Sequence, residues 1–213
     1  MKKITSRDYH DYVIKDGQFI GAFEEMYQNV DDPWHLGEAT AIQYDIALYL
    51  IRRYGIGGSA SIFDIGCGKG EFTARLKRHL PDTNILAVDI STTAIEKARQ
   101  KFDNLDIVFK VMDIQKEYNK IREKYDLIIM AGVVWYILPD FKDIISYLGD
   151  KTLKEEGYFM ITNQPFYKPE EQKYGNEIMT CVEDMLKLVD MKVVEMVELN
   201  RLTNHTVTVL FHK

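Results

Sequence analysis

From Ser61 onward the chain alternates short apolar runs with segments of helical period, and turn or cap residues mark each switch. Ser61-Ile62-Phe63-Asp64-Ile65 predicts a first strand, and Glu71 to Leu80 predicts a helix stopped by Pro81. Asn84 to Asp89 predicts a second strand. Thr93 and Glu96 have capping-box spacing, so the next helix is expected to open there and run toward Phe102. Asp106 to Val111 supplies a third strand. Tyr125 to Ala131, a nearly unbroken apolar run, supplies a fourth, with the pattern of a strand buried on both faces of a parallel sheet. Tyr158 to Thr162, entered through Gly157, is the fifth.

A helix from about Asn176 to Leu188 then leads into two β-rich runs, Met191 to Leu199 and His205 to Phe211. Asn200 to Asn204 between them is of hairpin length, which makes that pair antiparallel. The outline is an α/β fold: a Rossmann-like, doubly wound, seven-stranded sheet, mostly parallel, with an antiparallel C-terminal hairpin. Ahead of it, Glu38 to Arg53 predicts a helix with Ala39, Ile42, Ile46, Tyr49 and Leu50 on its apolar face. Residues 1–37 are aromatic and polar with weak periodicity, as in an arm or lid over a core of residues 61–213. No repeat, linker or charge block divides the chain, so one domain over 1–213 is expected.

Composition narrows the classes. With 213 residues and 46% hydrophobic content the chain buries an ample core, and disordered or low-complexity classes drop out. Lys and Arg number 27 against 33 Asp and Glu, a net charge of −6, so nucleic acid is disfavoured as a partner. Cys67 and Cys181 are too few and too far apart for a disulfide framework or a CxxC metal site; a reducing compartment and no metal are expected. The N-terminus has Lys2 and Lys3 but no apolar segment behind them, which does not read as a signal peptide. The longest apolar run, Leu127 to Leu138, is shorter than the roughly 20 residues of a membrane span. A cytoplasmic location is the expectation.

The chemistry concentrates where the first strand meets its helix, at Asp64-Ile65-Gly66-Cys67-Gly68-Lys69-Gly70. In an open α/β sheet this turn approaches the ligand, and three alternate glycines remove the Cβ atoms that would hold a ligand off the main chain. The dinucleotide fingerprint needs glycine at position 71, where Glu71 stands, and the Walker A spacing is absent. Asp64 and Glu71 flank the loop and would repel a pyrophosphate, so the ligand carries positive charge or none there. Asp89 ends the second strand, placed to accept two hydrogen bonds from ribose hydroxyls, and Asp113 follows the third, placed for an adenine amine. An adenosine with an amino-acid tail satisfies all three features.

This segment resembles the class I S-adenosylmethionine-dependent methyltransferases, with the glycine loop similar to their motif I, Asp89 to the ribose acid and Asp113 to the residue beside adenine. The resemblance covers about Ser61 to Phe211. It implies S-adenosyl-L-methionine as cofactor, held by Asp64, Gly66, Cys67, Gly68, Gly70, Asp89 and Ile90, by Met112, Asp113 and Ile114, and by Met130, Ala131 and Gly132 through their backbone. It also places Val133 to Tyr136 near the reacting centre. The acidic residue typical of that family shortly after strand four is replaced here by Ala131-Gly132-Val133. Asp31-Asp32-Pro33-Trp34-His35 and Val133-Val134-Trp135-Tyr136-Ile137-Leu138 further resemble the small nodulation-type N-methyltransferases, which modify an amino sugar of an oligosaccharide.

The expected activity is therefore methyl transfer to an amino or hydroxyl group of a small molecule, a sugar or natural-product intermediate. Action on RNA or protein and a catalytically silent cofactor-binding subunit stay open as alternatives; oligomeric state is not legible. His35 and Tyr136 are the catalytic candidates, His35 because an imidazole titrates near neutrality. A surface or capping histidine remains the other reading of His35. Trp34, Trp135 and Phe166 are the substrate-binding candidates, with Asn163-Gln164-Pro165-Phe166, Tyr167 and Tyr174 read as a substrate loop.

Overall fold

The computed structural model describes residues 6, 8–34, 38–167, 172, 174–200 and 204–213, the side chains of 38–41 and 204 excepted. The arm is built from α1 (His10–Val13), a small hairpin of β1 (Ile14–Lys15) and β2 (Gln18–Phe19), and α2 (Phe23–Asn29). The bridging helix α3 (Glu38–Arg53) follows. The core then alternates β3 (Ser61–Ile65), α4 (Glu71–His79), β4 (Asn84–Asp89), α5 (Thr92–Lys101), β5 (Ile107–Val111), α6 (Ile114–Glu117), β6 (Tyr125–Ala131), α7 (Phe141–Tyr147) and β7 (Leu153–Tyr167). It ends with α8 (Val182–Lys187), β8 (Lys192–Asn200) and β9 (Asn204–His212).

The sheet order is β5-β4-β3-β6-β7-β9-β8. Strands β3 to β7 pair in parallel, whereas β9 pairs antiparallel with both β7 and β8. The chain winds outward from β3 to β4 and β5, then returns to lay β6 on the other side of β3. That reversal leaves a crevice outside the carboxyl ends of β3 and β6, the switch point where such sheets take ligands. Both faces are apolar because side chains alternate along each strand. Phe63, Ile65, Ile128 and Met130 pack toward α7 and α8, while Ile62, Leu127 and Ile129 pack under α3 and α4. Each such side chain, fully buried, contributes about 1.5–3 kcal/mol.

Four local expectations are corrected. The buried face of α3 is Gln43, Tyr44, Ala47, Leu48, Leu50 and Ile51; of the expected face Leu50 is buried, while Ile42 at 50% and Tyr49 at 56% are exposed. The helix has two apolar stripes of helical spacing, and the sheet beneath it chooses between them. Helix α5 starts two residues earlier than the capping-box spacing implied, because the cap is Ser91, not Thr93, and accepts from the Ala94 N–H at 3.1 Å. Helix α8 is shorter than expected, since the N–H and hydroxyl of Thr180 both bond Asp184 and set its start after Cys181. Strand β7 runs 15 residues, far beyond Tyr158–Thr162. Its last residues, Gln164 to Tyr167, pair with Val207 to Asn204 of β9, so tertiary pairing carries a strand through Pro165 against local propensity.

Candidate cofactor and acceptor site

The turn from β3 into α4 is held by the neighbouring strand, since the N–H groups of Gly66 and Cys67 both donate to the Val88 carbonyl, at 2.8 and 2.9 Å. Gly66, Gly68 and Gly70 have φ of +75°, +54° and +79°, the left-handed region that only glycine enters without cost. A Cβ on Gly66 would overlap the Val133 side chain, and one on Gly68 would lie 2.7 Å from the Tyr27 hydroxyl oxygen. Gly70 has a different task from the one expected. It precedes the first residue of α4, and a Cβ there would lie 2.8 Å from the Phe109 ring, so it closes loop packing instead of lining the cavity.

Three carboxylates stand around this loop. Asp64 is buried and accepts from the Thr73 hydroxyl at 2.5 Å. Burial, opposed by that hydrogen bond and reinforced by Asp89, pushes its carboxyl up to about 6. Asp89 accepts the N–H of Gly68 at 2.8 Å and of Ser91 at 2.9 Å, yet burial still pushes it up to about 6. Asp113 is half-buried at the start of α6, where it accepts from the Gln115 N–H at 3.2 Å and pairs with Lys116 at 2.6 Å. Cys67 is kept as a thiol, because burial and the nearby carboxylates raise it well above its ordinary value. Glu71 is drawn away from the loop by Lys101, 2.6 Å distant, and Lys69 is turned outward onto the Asp31 carbonyl. The walls therefore offer acceptors to hydroxyls and cations, not donors to phosphates.

The arm covers the same loop. Glu24 accepts from the Ser91 hydroxyl at 2.6 Å and from both the N–H and hydroxyl of Thr93, at 3.1 and 2.5 Å. Burial would raise the Glu24 carboxyl, but these bonds hold it at about 2. Lys97 donates to the Tyr27 carbonyl at 2.6 Å, and the Trp34 indole N–H donates to the Tyr27 hydroxyl at 2.7 Å. Trp34 also packs against Tyr9 and Tyr136, with ring centroids 5.2 and 5.6 Å apart. Burial, with Tyr9 and Tyr167 nearby, pushes the Tyr136 phenol far above its ordinary value, so it stays protonated.

These elements enclose a cavity of about 310 Å³. At one end it is walled by Asp64, Gly66, Cys67, Gly68, Asp89 and Ile90, with Met112, Asp113 and Ile114 beside them. Ala131 and Gly132 lie where β6 ends. At the other end stand Tyr9, Phe23, Trp34, Tyr136, Asn163, Pro165 and Tyr167. Two expected substrate residues are elsewhere. Trp135 is 6% exposed and donates its indole N–H to the Pro165 carbonyl at 2.7 Å, and Phe166 is 1% exposed and packs on Trp135 and His205. Alternation along β7 explains this: Asn163, Pro165 and Tyr167 face the cleft, and Gln164 and Phe166 face the core. His35 lies outside the described residues. Sequence reasoning missed Gln43, Tyr44 and Thr206, which also line the cavity. Gln43 bonds Thr206 at 3.3 Å and Tyr44 stacks on Phe72 at 4.5 Å. A reading of the second stripe on α3 would have found Gln43 and Tyr44. Among the described residues no cluster of three His, Cys, Asp or Glu side chains forms a metal-ligand set.

Comparison with known proteins agrees with this geometry. Residues 63–159 match the family model described as a methyltransferase domain. Nodulation protein S of Azorhizobium caulinodans is 32% identical over 109 residues, which is 50% of this chain and 49% of that protein. A malonyl-[acyl-carrier protein] O-methyltransferase of Acetivibrio thermocellus is 40% identical over 76 residues, 35% of this chain and 26% of that protein. The chain thus spans half or less of the length of these curated relatives. The structure of the N-methyltransferase NodS from Bradyrhizobium japonicum with S-adenosyl-L-homocysteine superposes with a TM-score of 0.65 at 20% identity, over 86% of this chain and 92% of that one. The left-handed backbone at Gly66 and Gly68 and the carboxylates of Asp64, Asp89 and Asp113 fit an adenosine with a cationic amino-acid tail. The match to a methyltransferase domain over residues 63–159 thus falls on the segment that carries the acidic glycine loop and the switch-point crevice.

Proposed function

We propose that the protein transfers a methyl group from S-adenosyl-L-methionine to an amino or hydroxyl group of a small molecule, a sugar or natural-product intermediate. The observation that carries this reading is the continuity of one cavity from the carboxylates and glycines to an aromatic and carboxamide end. When bound, the cofactor supplies an electrophilic methyl, open to in-line displacement by an acceptor lone pair. The chain's own tasks are then to hold, align and exclude water. Asp64 faces the cationic tail, Asp89 accepts from the ribose and Asp113 from the adenine amine. Gly66 and Gly68 admit the ligand against the backbone, and the arm closes over it through Tyr27 and Trp34.

At the acceptor end an amine or hydroxyl meets the phenols of Tyr9, Tyr136 and Tyr167 and the amide of Asn163. Tyr136 stays protonated at neutral pH and donates a hydrogen bond to the acceptor; it does not serve as a base. An amine needs only to arrive with a free lone pair. A hydroxyl needs a proton acceptor, the role this reading assigns to His35.

The test is transfer of label from methyl-labelled S-adenosylmethionine to a panel of amino sugars, aliphatic amines, polyols and phenols, with RNA and denatured protein as further arms. A labelled small-molecule product supports the reading. Label in RNA or protein replaces it with the corresponding macromolecular activity, and cofactor binding with no labelled product in any arm points to a silent binding subunit.

A further inference from the structure

Two non-glycine residues in the described chain have positive φ, Asp16 at +51° and Asn163 at +49°. Asp16 is explained by the tight hairpin turn Asp16-Gly17 between β1 and β2. Asn163 has no such excuse, for it lies inside β7. There the ladder with β9 shifts register, Ile161 facing Val209 and Gln164 facing Val207, so two residues oppose one. A bulge of this kind takes glycine by default at its left-handed position. The fold alone would be served better by glycine, and a side chain retained at such a backbone angle is a pointer to function.

The side chain is placed where it counts. Asn163 lines the cavity, and its carbonyl oxygen and Nδ2 lie 3.4 and 3.8 Å from the position a Cβ on Gly132 would take. Gly132 is tied to the same bulge, its N–H donating to the Thr162 carbonyl at 2.9 Å. The next residue, Val133, is the one a Cβ on Gly66 would strike. Asn163 therefore stands across from the glycine loop, on the acceptor side of the end of β6. Among the described residues no protein group exchanges a hydrogen bond with its carboxamide.

We propose that Asn163 orients the methyl acceptor: its carboxamide oxygen accepts a hydrogen bond from the N–H or O–H of the nucleophilic amine or hydroxyl and turns the lone pair toward the transferred methyl. This rests on the methyltransferase reading above. The left-handed backbone at the bulge aims the amide into the cavity, and Pro165 and Tyr167, two and four residues on, complete the same wall.

Sinefungin tests the geometry without knowledge of the acceptor, because an amine-bearing carbon stands in place of its methylsulfonium and projects that amine toward the acceptor side. Its dissociation constant and that of S-adenosylhomocysteine are measured by calorimetry on the wild type, Asn163→Gly and Asn163→Asp. Glycine keeps the backbone angle while removing the amide. The wild type is expected to prefer sinefungin by about tenfold, the worth of one hydrogen bond to a charged group. Asn163→Gly loses that preference with S-adenosylhomocysteine affinity held within about twofold, and Asn163→Asp enlarges it. A preference absent in the wild type, or equal in Asn163→Gly, overturns the assignment. An equal loss for both ligands overturns it too, as a merely structural role would produce. Failure of the wild type to bind S-adenosylhomocysteine at all instead removes the methyltransferase reading beneath it.

Discussion

Cofactor affinity should rise steeply between about pH 5 and about pH 7, with the protein and not the ligand responsible. The carboxyls of Asp64 and Asp89 are held at about 6. A cationic tail or a pair of ribose hydroxyls interacts with the ionised forms, so binding below that value must expel protons. At about pH 5 a group with a pKa of about 6 is about nine-tenths protonated, which weakens binding about tenfold, or about 1.4 kcal/mol, relative to about pH 7. The two carboxyls titrate as a pair, so the total lies between about tenfold and a hundredfold. The α-ammonium of S-adenosylhomocysteine stays protonated over this range, since amino groups of that type titrate near about 8. Calorimetric titration in two buffers of different ionisation enthalpy reads both the affinity and the protons released. Asp64→Asn should flatten the slope and cost about 10- to 100-fold in affinity at about pH 7, as loss of a charged partner does. In the free protein the sign reverses. Both folded values exceed the ordinary 3.8, so the stabilisation is full below about pH 4 and is lost as pH rises through about 6. Asp64→Asn should then raise the melting temperature at about pH 7 by about 5 °C. An affinity constant within about twofold across the range would refute the reasoning.

Three further outcomes are expected. Trp135→Phe loses the 2.7 Å bond to Pro165 and should cost about 1–3 kcal/mol in stability while S-adenosylhomocysteine affinity stays within about twofold; a tenfold loss of affinity at unchanged melting temperature would return Trp135 to the site. Gly66→Ala adds a Cβ at φ +75° that overlaps Val133, and binding should fall at least about a hundredfold, measured by calorimetry. Glu24, held at about 2 against an ordinary 4.5, stabilises the arm above about pH 4.5, a contribution lost as pH falls through about 2. Glu24→Ala should therefore hasten protease cleavage within residues 8–34 at neutral pH, and cleavage at the wild-type rate would contradict the clamp seen at Ser91 and Thr93.

The core was legible because its strands are apolar on both faces and its helices are bounded by Pro81 and by residues at the α5 start, so local pattern and tertiary role agree. The glycine loop and Asp89 were legible because position in the first βα units determines what approaches them. The acceptor end was less so. Periodicity alone could not say that α3 buries Tyr44 and exposes Tyr49, since both stripes have helical spacing and only the sheet decides. In Asn163-Gln164-Pro165-Phe166 the large ring of Phe166 is the most conspicuous side chain in the sequence, but the bulge at Thr162 and Asn163 sets which alternate residues face the cleft. A bulge depends on the partner strand, here Val207 to Val209, and leaves no mark that one strand's pattern reveals.

Thermal unfolding with S-adenosylmethionine, S-adenosylhomocysteine and NAD, each at about a hundred times a plausible dissociation constant, tests the central claim most directly. A ligand of the folded state at that excess adds about 2.7 kcal/mol, a rise of roughly 5–10 °C for a chain of this size. The account predicts that rise with the first two ligands and none with NAD. No rise with S-adenosylmethionine or S-adenosylhomocysteine would contradict it and separate the glycine loop from the function built on it.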